Sequence, residues 1–444
     1  MTDPLFLSLG TNLGDRLQNL RQAVTALEHE GLLTITAISP VYETPPWGYE
    51  AQPAFLNLCL AGRTTLPPAG LLAAVKKLEA QLGRVPGDRW GPRLIDIDIL
   101  AYAEAVVALE GLTLPHPGLP LRPFVLVPLA DIAPRWVHPE TGRDVLAMRA
   151  AVSSEGIRRW PVPLFWGRRT EVMGILNVTP DSFSGDGVLV GDGAAVVAAA
   201  VAQAEAFVAA GADVIDIGGE STRPGSVPVS AEAEMARVLP VIRAVRQAVN
   251  VPISVDTYRA EVAEAALEAG AAWVNDVWGL RMDPRLAGVV AAAGCPVVVM
   301  HNRSQPKDVA QEQRLGGRYV GIHYEDLIGD IRRELQASID LGLAQGIRPE
   351  QIIIDPGLGF GKTVAQNVQL LRDLNQLKSM GFPILIGPSR KSFIGYTLNL
   401  PPEDRLEGTA AAVAIGIDRG ADIVRVHDVA AMVRVARMTD RIVR

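Results

Sequence analysis

Glu171-Val172-Met173-Gly174-Ile175-Leu176-Asn177-Val178-Thr179-Pro180-Asp181-Ser182-Phe183-Ser184 divides this sequence into two unlike halves. Its apolar run stops at Asn177, and Thr179-Pro180-Asp181 cannot continue a strand. Downstream, one pattern recurs: a short Val/Ile-rich strand, a polar residue at its C-terminal end, then an Ala-rich helix. The strands at 172–176, 253–255, 273–274, 297–300 and 352–354 end at Asn177, Asp256, Asn275, His301 and Asp355. The strand at 214–217 runs into Gly218-Gly219-Glu220-Ser221-Thr222-Arg223. Those at 384–386 and 423–424 lead to Arg390-Lys391 and to Arg425-Val426-His427. Eight such units over residues 170–444 predict a (β/α)8 TIM barrel. The strands are almost wholly apolar, as parallel strands covered on both faces must be.

In such a barrel every polar strand end surrounds one mouth. A single Asn or Asp after a strand is ordinarily a helix cap. Eight ends in register, two of them basic, point to a site instead. Asp256, Asn275 and Asp355 offer acceptors suited to a guanidine-like edge. Lys391, Arg390, Arg425 and His427, with Asn177, offer donors suited to an anion, and Ser392 stands where the seventh helix should begin. The run from Asp355 to Lys362 has a phosphate loop's glycines but neither its spacing nor its terminal hydroxyl, so that reading is set aside.

The half before Glu171 alternates strand, helix, strand, strand, helix, strand, the order of a ferredoxin-like α+β sandwich. Within Gly83 to Leu100, Asp96 and Asp98 alternate with Ile95, Ile97 and Ile99, which puts both carboxylates on one strand face. Two adjacent acids repel unless a cation lies between them, and hard oxygen ligands suit Mg2+ shared with substrate phosphates. Arg84, Arg89 and Arg93 sit just upstream in a Gly/Pro-rich loop, where guanidinium forks match phosphate. The plainer reading is a salt-bridged edge strand beside a solvated basic loop.

Composition bounds the rest. At 444 residues, 48% hydrophobic and 20% charged, the chain has room for two or three globular domains. A net charge of −7 argues against a nucleic-acid footprint. Cys59 and Cys295 lie in apolar runs and read as buried thiols in a reducing compartment. No signal peptide or membrane-length apolar run stands out, so a cytoplasmic protein with no membrane partner is expected. The Pro-rich segment at residues 161–169 reads as a linker between domains at 1–160 and 170–444.

Two resemblances sharpen these readings. The motifs SLGTNLGDR, SPVYETPPWG, RWGPRLIDIDIL and LPHPGLPLRPFVLVPLADIAP, within residues 1–160, resemble 6-hydroxymethyl-7,8-dihydropterin pyrophosphokinase. That resemblance implies two magnesium ions on Asp96 and Asp98, and phosphate contacts from Arg84, Arg93, His116 and Arg122, with Glu79 aiding the ATP site. It also implies a pterin slot of Thr44, Pro45, Phe55, Asn57 and Phe124. Flat aromatic faces suit a planar ring, and Asn57 carries both donor and acceptor. The sequence departs from the family in a shorter, less basic loop at 85–88 and in Pro117 after His116.

The motifs GILNVTPDSFS, DIGGESTRPG, SVDTYR, DPGLGFGK, GPSRKSFIG and VRVHDV resemble dihydropteroate synthase over residues 170–444. This implies pterin binding by Asp256, Asn275, Asp355 and Lys391, with Met300 and Phe360 packing nearby. Asn177, Arg425 and His427 would hold the pyrophosphate and its magnesium. Thr222 and Arg223 would belong to a loop over the site, while Phe183, Pro224, Lys391 and Ser392 would place 4-aminobenzoate. Here the sequence departs at Ser184-Gly185-Asp186, where the family places the acid directly after the serine.

Together these imply a bifunctional folate-pathway enzyme. Its substrates would be ATP, hydroxymethyldihydropterin and 4-aminobenzoate, and it would form a homodimer through the barrel. The rivals are a pterin-dependent methyltransferase, a non-catalytic pterin-binding barrel, and an RNA-binding module fused to a dead barrel. The clustered cations at the barrel mouth count against the first, and the acidic balance against the last.

Overall fold

The computed structural model describes residues 5–85, 91–178, 193–220, 229–304, 311–312, 315, 318–319 and 322–444. The chain divides into two compact units, Met1–Phe165 and Trp166–Arg444.

The first unit runs β1 (Leu5–Thr11), α1 (Arg16–His29), β2 (Thr34–Ile38), β3 (Tyr42–Thr44), β4 (Phe55–Arg63), α2 (Pro68–Gln81) and β5 (Asp96–Tyr102). A hairpin of β6 (Val107–Leu109) and β7 (Leu112–Leu114) follows, then α3 (Pro123–Ile132), α4 (Val145–Arg149) and β8 (Arg158–Arg159). The sheet is antiparallel in the order β5-β1-β4-β3-β8, with β2 also on β4. That is the ferredoxin-like arrangement the element order predicts. Asp15 caps α1 by accepting from the Gln18 amide, and Pro68 opens α2 where no N–H is needed. Both helices bury Leu20, Val24, Leu27, Leu71, Val75 and Leu78 against one sheet face, whereas α3 and α4 cover the other. Trp160, Leu164 and Phe165 pack on the first of these cores, so the chain beyond β8 still belongs to this unit.

The second unit begins with β9 (Glu171–Asn177), α5 (Gly193–Ala209), β10 (Val214–Gly218), α6 (Ala231–Ala248), β11 (Ile253–Asp256) and α7 (Ala260–Glu268). Next come β12 (Trp273–Asp276), α8 (Leu286–Ala293), β13 (Val297–Met300), a short β14 (Gln311–Glu312) and β15 (Arg318–Tyr319), and α9 (Leu327–Ala344). It ends with β16 (Ile352–Asp355), α10 (Val364–Arg372), β17 (Leu385–Ile386), α11 (Ser392–Leu398), α12 (Leu406–Asp418), β18 (Ile423–Val426) and α13 (Val429–Val443).

Eight parallel strands run in the order β16-β13-β12-β11-β10-β9-β18-β17, and a bridge between Ile354 and Ile384 closes the ring. The helices lie outside it. Gly174 shows how tightly they press: a Cβ there would sit 2.7 Å from Phe207 on α5. At the N-terminal face the buried acids are tied internally. Arg169 pairs with Glu171 (2.9 Å) and Asp213 (2.6 Å), and Asp213 also accepts from the Val172 amide.

Each unit has its own buried core, so separate expression of residues 1–165 and 166–444 is expected to give two soluble proteins, each with a cooperative thermal transition. Aggregation of either fragment, or a transition seen only in the full chain, would show that the division is not one of stability.

Candidate active sites

In the first unit the strands β1, β4 and β5 form the floor of a cavity of about 430 Å3. Thr44, Pro45, Phe55, Asn57, Arg84, Arg93, Asp96, Asp98, His116, Arg122 and Phe124 all line it. The Asn57 amide donates to Thr44 Oγ1 at 2.8 Å. Gly10 makes room for it, since a Cβ there would lie 2.7 Å from Asn57 Oδ1. Phe124 is flanked by Trp47 (centroids 6.1 Å apart) and by the Arg122 guanidinium at 5.7 Å. Sequence reasoning did not single out Ser8, Trp47, Gln52 or Lys76, which also line the cavity.

Asp96 and Asp98 share one face of β5, with buried Ile97 on the other. Arg84 and Arg93 hold the two oxygens of Asp96 at 2.6 and 2.7 Å, and Arg122 holds Asp98 at 3.0 Å. Burial works against the Arg84 charge, but Asp96 and Glu79 outweigh it and raise its pKa. Glu79 is buried behind the strand, where it accepts from the Ile97 amide at 2.7 Å and pairs with Arg84. It braces the site without lining it. His116 Nδ1 accepts from the Gly118 amide at 3.0 Å, which turns Nε2 toward Arg122. Burial lowers its pKa. Two adjacent carboxylates on an open cavity wall fit magnesium that shares its shell with phosphates, and the three arginines around them fit those phosphates.

In the barrel, register builds the second site. Asn177 pairs with Gly218, Gly218 with Asp256, and Asp256 with Asn275, while Met300 pairs with Asp355. All stand at the C-terminal ends of their strands, around one mouth. Arg425 joins them from β18, its Nη2 2.8 Å from Asp256 Oδ2 and its Nε 2.6 Å from Asp216 Oδ2. His427 faces Ser389 Oγ through Nδ1 at 3.0 Å. Lys391 places its ammonium 4.0 Å over the Phe360 ring, and Ser392 begins α11. Arg390, an anion donor on sequence grounds, is turned to Asp428 at 2.8 Å.

Burial pushes the Asp256 carboxyl up to about 7, with Arg425 opposing and Asp216 reinforcing the shift. It raises Asp355 to about 6, although the Gly357 amide and Lys391 pull the other way. Both acids would gain from further donors. Lys362 is equally buried, and desolvation brings it down to about 7. Its Nζ donates to the carbonyls of Gly357 and Phe360 and to His301 Nδ1, each at 3.0 Å. His301 then presents Nε2–H to Glu334 at 3.0 Å. So Lys362 pins the turn after Asp355 and is no phosphate ligand. Phe183, Thr222, Arg223, Pro224, the departure at Ser184-Gly185-Asp186, and, in the first unit, Arg89 and positions 86–88 of the shortened loop lie outside the described residues.

The sequence matches the family described as pterin binding enzyme over residues 173–427, and that of 7,8-dihydro-6-hydroxymethylpterin-pyrophosphokinase over 6–134. It is 39% identical to the folic acid synthesis protein fol1 of Pneumocystis carinii, covering 99% of this chain and 60% of that protein. The chain therefore spans only about three-fifths of that curated relative. It is 37% identical to the mitochondrial folate synthesis bifunctional protein of Pisum sativum, across 100% of this chain and 90% of that one. The crystal structure of dihydropteroate synthase from Clostridium difficile with pteroic acid superposes with a TM-score of 0.56 at 46% identity, covering 62% of this chain and 98% of that chain.

The raised Asp355 acid has a thermodynamic consequence. Between its ordinary value of 3.8 and about 6 the folded state binds more protons than the unfolded one. Stability from this group is thus full at low pH and is lost as pH rises through that window. Thermal melts of residues 166–444 should show a steeper fall with pH there for the wild type than for Asp355→Asn. Equal slopes would contradict the buried acid.

Proposed function

Because the chain belongs to the pterin binding enzyme family and carries a 7,8-dihydro-6-hydroxymethylpterin-pyrophosphokinase domain, we propose that it performs two consecutive steps of folate synthesis. The observation that carries this is the coexistence of two sites of matching chemistry. One is an arginine-flanked carboxylate pair beside an aromatic slot; the other is a ring of buried acids beside Arg425, His427 and Lys391. In this proposal residues 1–160 form the kinase domain, 161–169 the linker, whose first part through Phe165 packs on the kinase core, and 170–444 the synthase.

In the first step, the pterin's hydroxymethyl oxygen bonds to the β-phosphorus of ATP. The hydroxyl gives up its proton, the bond from that phosphorus to the α-phosphate oxygen breaks, and AMP leaves. Phe55 and Phe124 enclose the pterin ring, and Asn57 and Thr44 meet its polar edge. Arg84, Arg93, His116 and Arg122 spread the charge that develops on the phosphates, since such catalysis is mostly positioning and electrostatics. Asp96 and Asp98 would hold magnesium, which neutralises phosphate charge when bound. Displacing the arginines from these carboxylates turns the guanidinium groups toward the nucleotide.

In the second step, the pterin methylene bonds to the amine of 4-aminobenzoate. The methylene–oxygen bond to pyrophosphate breaks, and the amine loses a proton. Asp256, Asn275 and Asp355 accept from the pterin's amino-pyrimidine edge, with Met300 and Phe360 against the ring. Arg425 and His427 stabilise the leaving anion, and the Asn177 amide oxygen would complete the shell of a magnesium arriving with it. Lys391 and Ser392, with Thr222 and Arg223, place the substrates. A methyl-transfer barrel would have no use for this anion-binding cluster.

A homodimer through the barrel belongs to the same reading, supported by Ile415, Met438 and Ile442, which the outer helices leave exposed. A cytoplasmic location is supported by two buried free thiols, Cys59 and Cys295. Small molecules are the expected partners.

Incubation with ATP, magnesium, hydroxymethyldihydropterin and 4-aminobenzoate should yield AMP and dihydropteroate; formation of neither would end this proposal. Asp96→Asn or Asp98→Asn should abolish AMP formation and leave conversion of supplied pterin pyrophosphate unchanged. Normal AMP output would return these acids to a salt-bridge role. Asp355→Asn exchanges an acceptor for a donor facing the pterin's own hydrogen. That loss of about 1.5–3 kcal/mol should lower kcat/KM for dihydropteroate roughly ten- to more than a hundredfold. Steady-state kinetics at the wild-type value would remove Asp355 from the pterin edge.

A further inference from the structure

Asp216, on β10, opens the motif DIGGESTRPG without a role assigned to it, yet it is fully buried inside the barrel. Its Oδ2 takes two hydrogen bonds, from Arg425 Nε at 2.6 Å and from Asn275 Nδ2 at 2.9 Å. Its Oδ1 has no hydrogen-bond partner among the described residues, and neither has Ser254 Oγ on the neighbouring strand, its partner in register. Other buried acids of the barrel serve the scaffold. Asp213 accepts from the Val172 amide, Asp276 from Trp278 and Leu280, and Asp422 from Ile384. Asp216 binds no backbone group among the described residues. Burying a carboxylate is costly unless its bonds return something, and both of its bonds go to residues of the mouth.

We propose that Asp216 is a positioning residue that sets which atoms Asn275 and Arg425 present to the ligand. A carboxylate only accepts, so the Asn275 amide must give it Nδ2 and keep Oδ1 for the ligand. Without that constraint the amide could turn over and present a donor, which the donor edge of a pterin would reject. The same oxygen holds Arg425 by Nε while Asp256 takes Nη2, which leaves the Nη1 donors for an anion. Asp216 thus couples recognition of a donor-bearing heterocycle to recognition of an anionic leaving group. The inference rests on the reading of this mouth as the pterin pyrophosphate site.

A double-mutant cycle tests it. Asp216→Asn keeps the shape, removes the charge, and lets the Asn275 amide pair in either orientation. Its kcat/KM for supplied pterin pyrophosphate should fall roughly ten- to a hundredfold. In an Asn275→Ala background the same change should cost several-fold less, because one of the groups it acts through is gone. Equal costs in both backgrounds would overturn the proposal. If Asp216→Asn does not fold, Asn275→Asp answers with Asp216 intact. Two adjacent carboxyl groups share a proton, and the protonated acid introduced on β12 mimics the amide by donating to Asp216 and keeping its carbonyl for the ligand. Arg425 contacts Asp216 directly, and the charged groups around Arg425 and its other partner Asp256 are Asp355, Asp276 and Glu234. Asn275→Asp should therefore retain turnover at low pH and lose it as pH rises, relative to wild type. A profile parallel to wild type would overturn the constraint. Wild-type protein that makes no dihydropteroate would instead sink the proposed function.

Discussion

Ionised groups taken out of water must find partners, and the barrel is arranged around that requirement. Arg425 lies between Asp216 and Asp256, so one guanidinium keeps two buried acids compatible with a closed, apolar strand ring. At the opposite face Arg169 and Arg437 do the same for Glu171 and Asp213. The difference lies in what remains unmet. At the N-terminal face the acids are tied to arginines and backbone amides, which makes it a clasp. At the C-terminal face Asp256 and Asp355 remain acids of raised pKa that gain from an incoming donor. A ligand bearing donors and an anion completes the electrostatics that the fold leaves incomplete.

The first unit solves a similar problem differently. Asp96 and Asp98 sit on a cavity wall, Asp96 held by two arginines and Asp98 by one, and those ion pairs are partly solvated. Exposed pairs of this kind contribute little to stability. They are therefore easily exchanged, and phosphates with their cation can replace them in both directions. In the proposed kinase step, these ion pairs would hold the carboxylates until nucleotide phosphates and their cation release them.

The barrel was legible because parallel strands buried on both faces read as short apolar runs, and because polar residues end them in register. Asn177, Asp256, Asn275 and Asp355 fell out of that pattern alone. The carboxylate pair was legible because period-two alternation places Asp96 and Asp98 on one face. Other residues escaped for physical reasons. Asp216 lies inside an apolar run, Val214-Ile215-Asp216-Ile217, where one acid looks like an interruption instead of a site. An acid between two isoleucines of a barrel strand, on the face opposite them, was the available signal. Lys362 was weighed only as part of a false phosphate loop; that its ammonium turns inward onto carbonyls depends on backbone geometry that composition does not encode. Arg390 was grouped with the anion donors because it adjoins Lys391, but Asp428, 38 residues away, claims it.

In the proposed reaction sequence the two sites would meet the same heterocycle with different chemistry, and the contrast follows from what each would release. In the first, neutral groups do the polar recognition: Asn57 and Thr44 bond each other and sit beside aromatic faces. A pterin held that way would be bound without strong charge, so a product that has gained a pyrophosphate could leave once the arginines regain their carboxylates. In the second, recognition is by buried acids, and the energy of satisfying them is available only to a ligand that fits the mouth. That suits a step in which a carbon–oxygen bond must break. Under that proposal the acids would hold the ring, while Arg425, already anchored to Asp216 and Asp256, would meet the charge leaving with the pyrophosphate without reorganising.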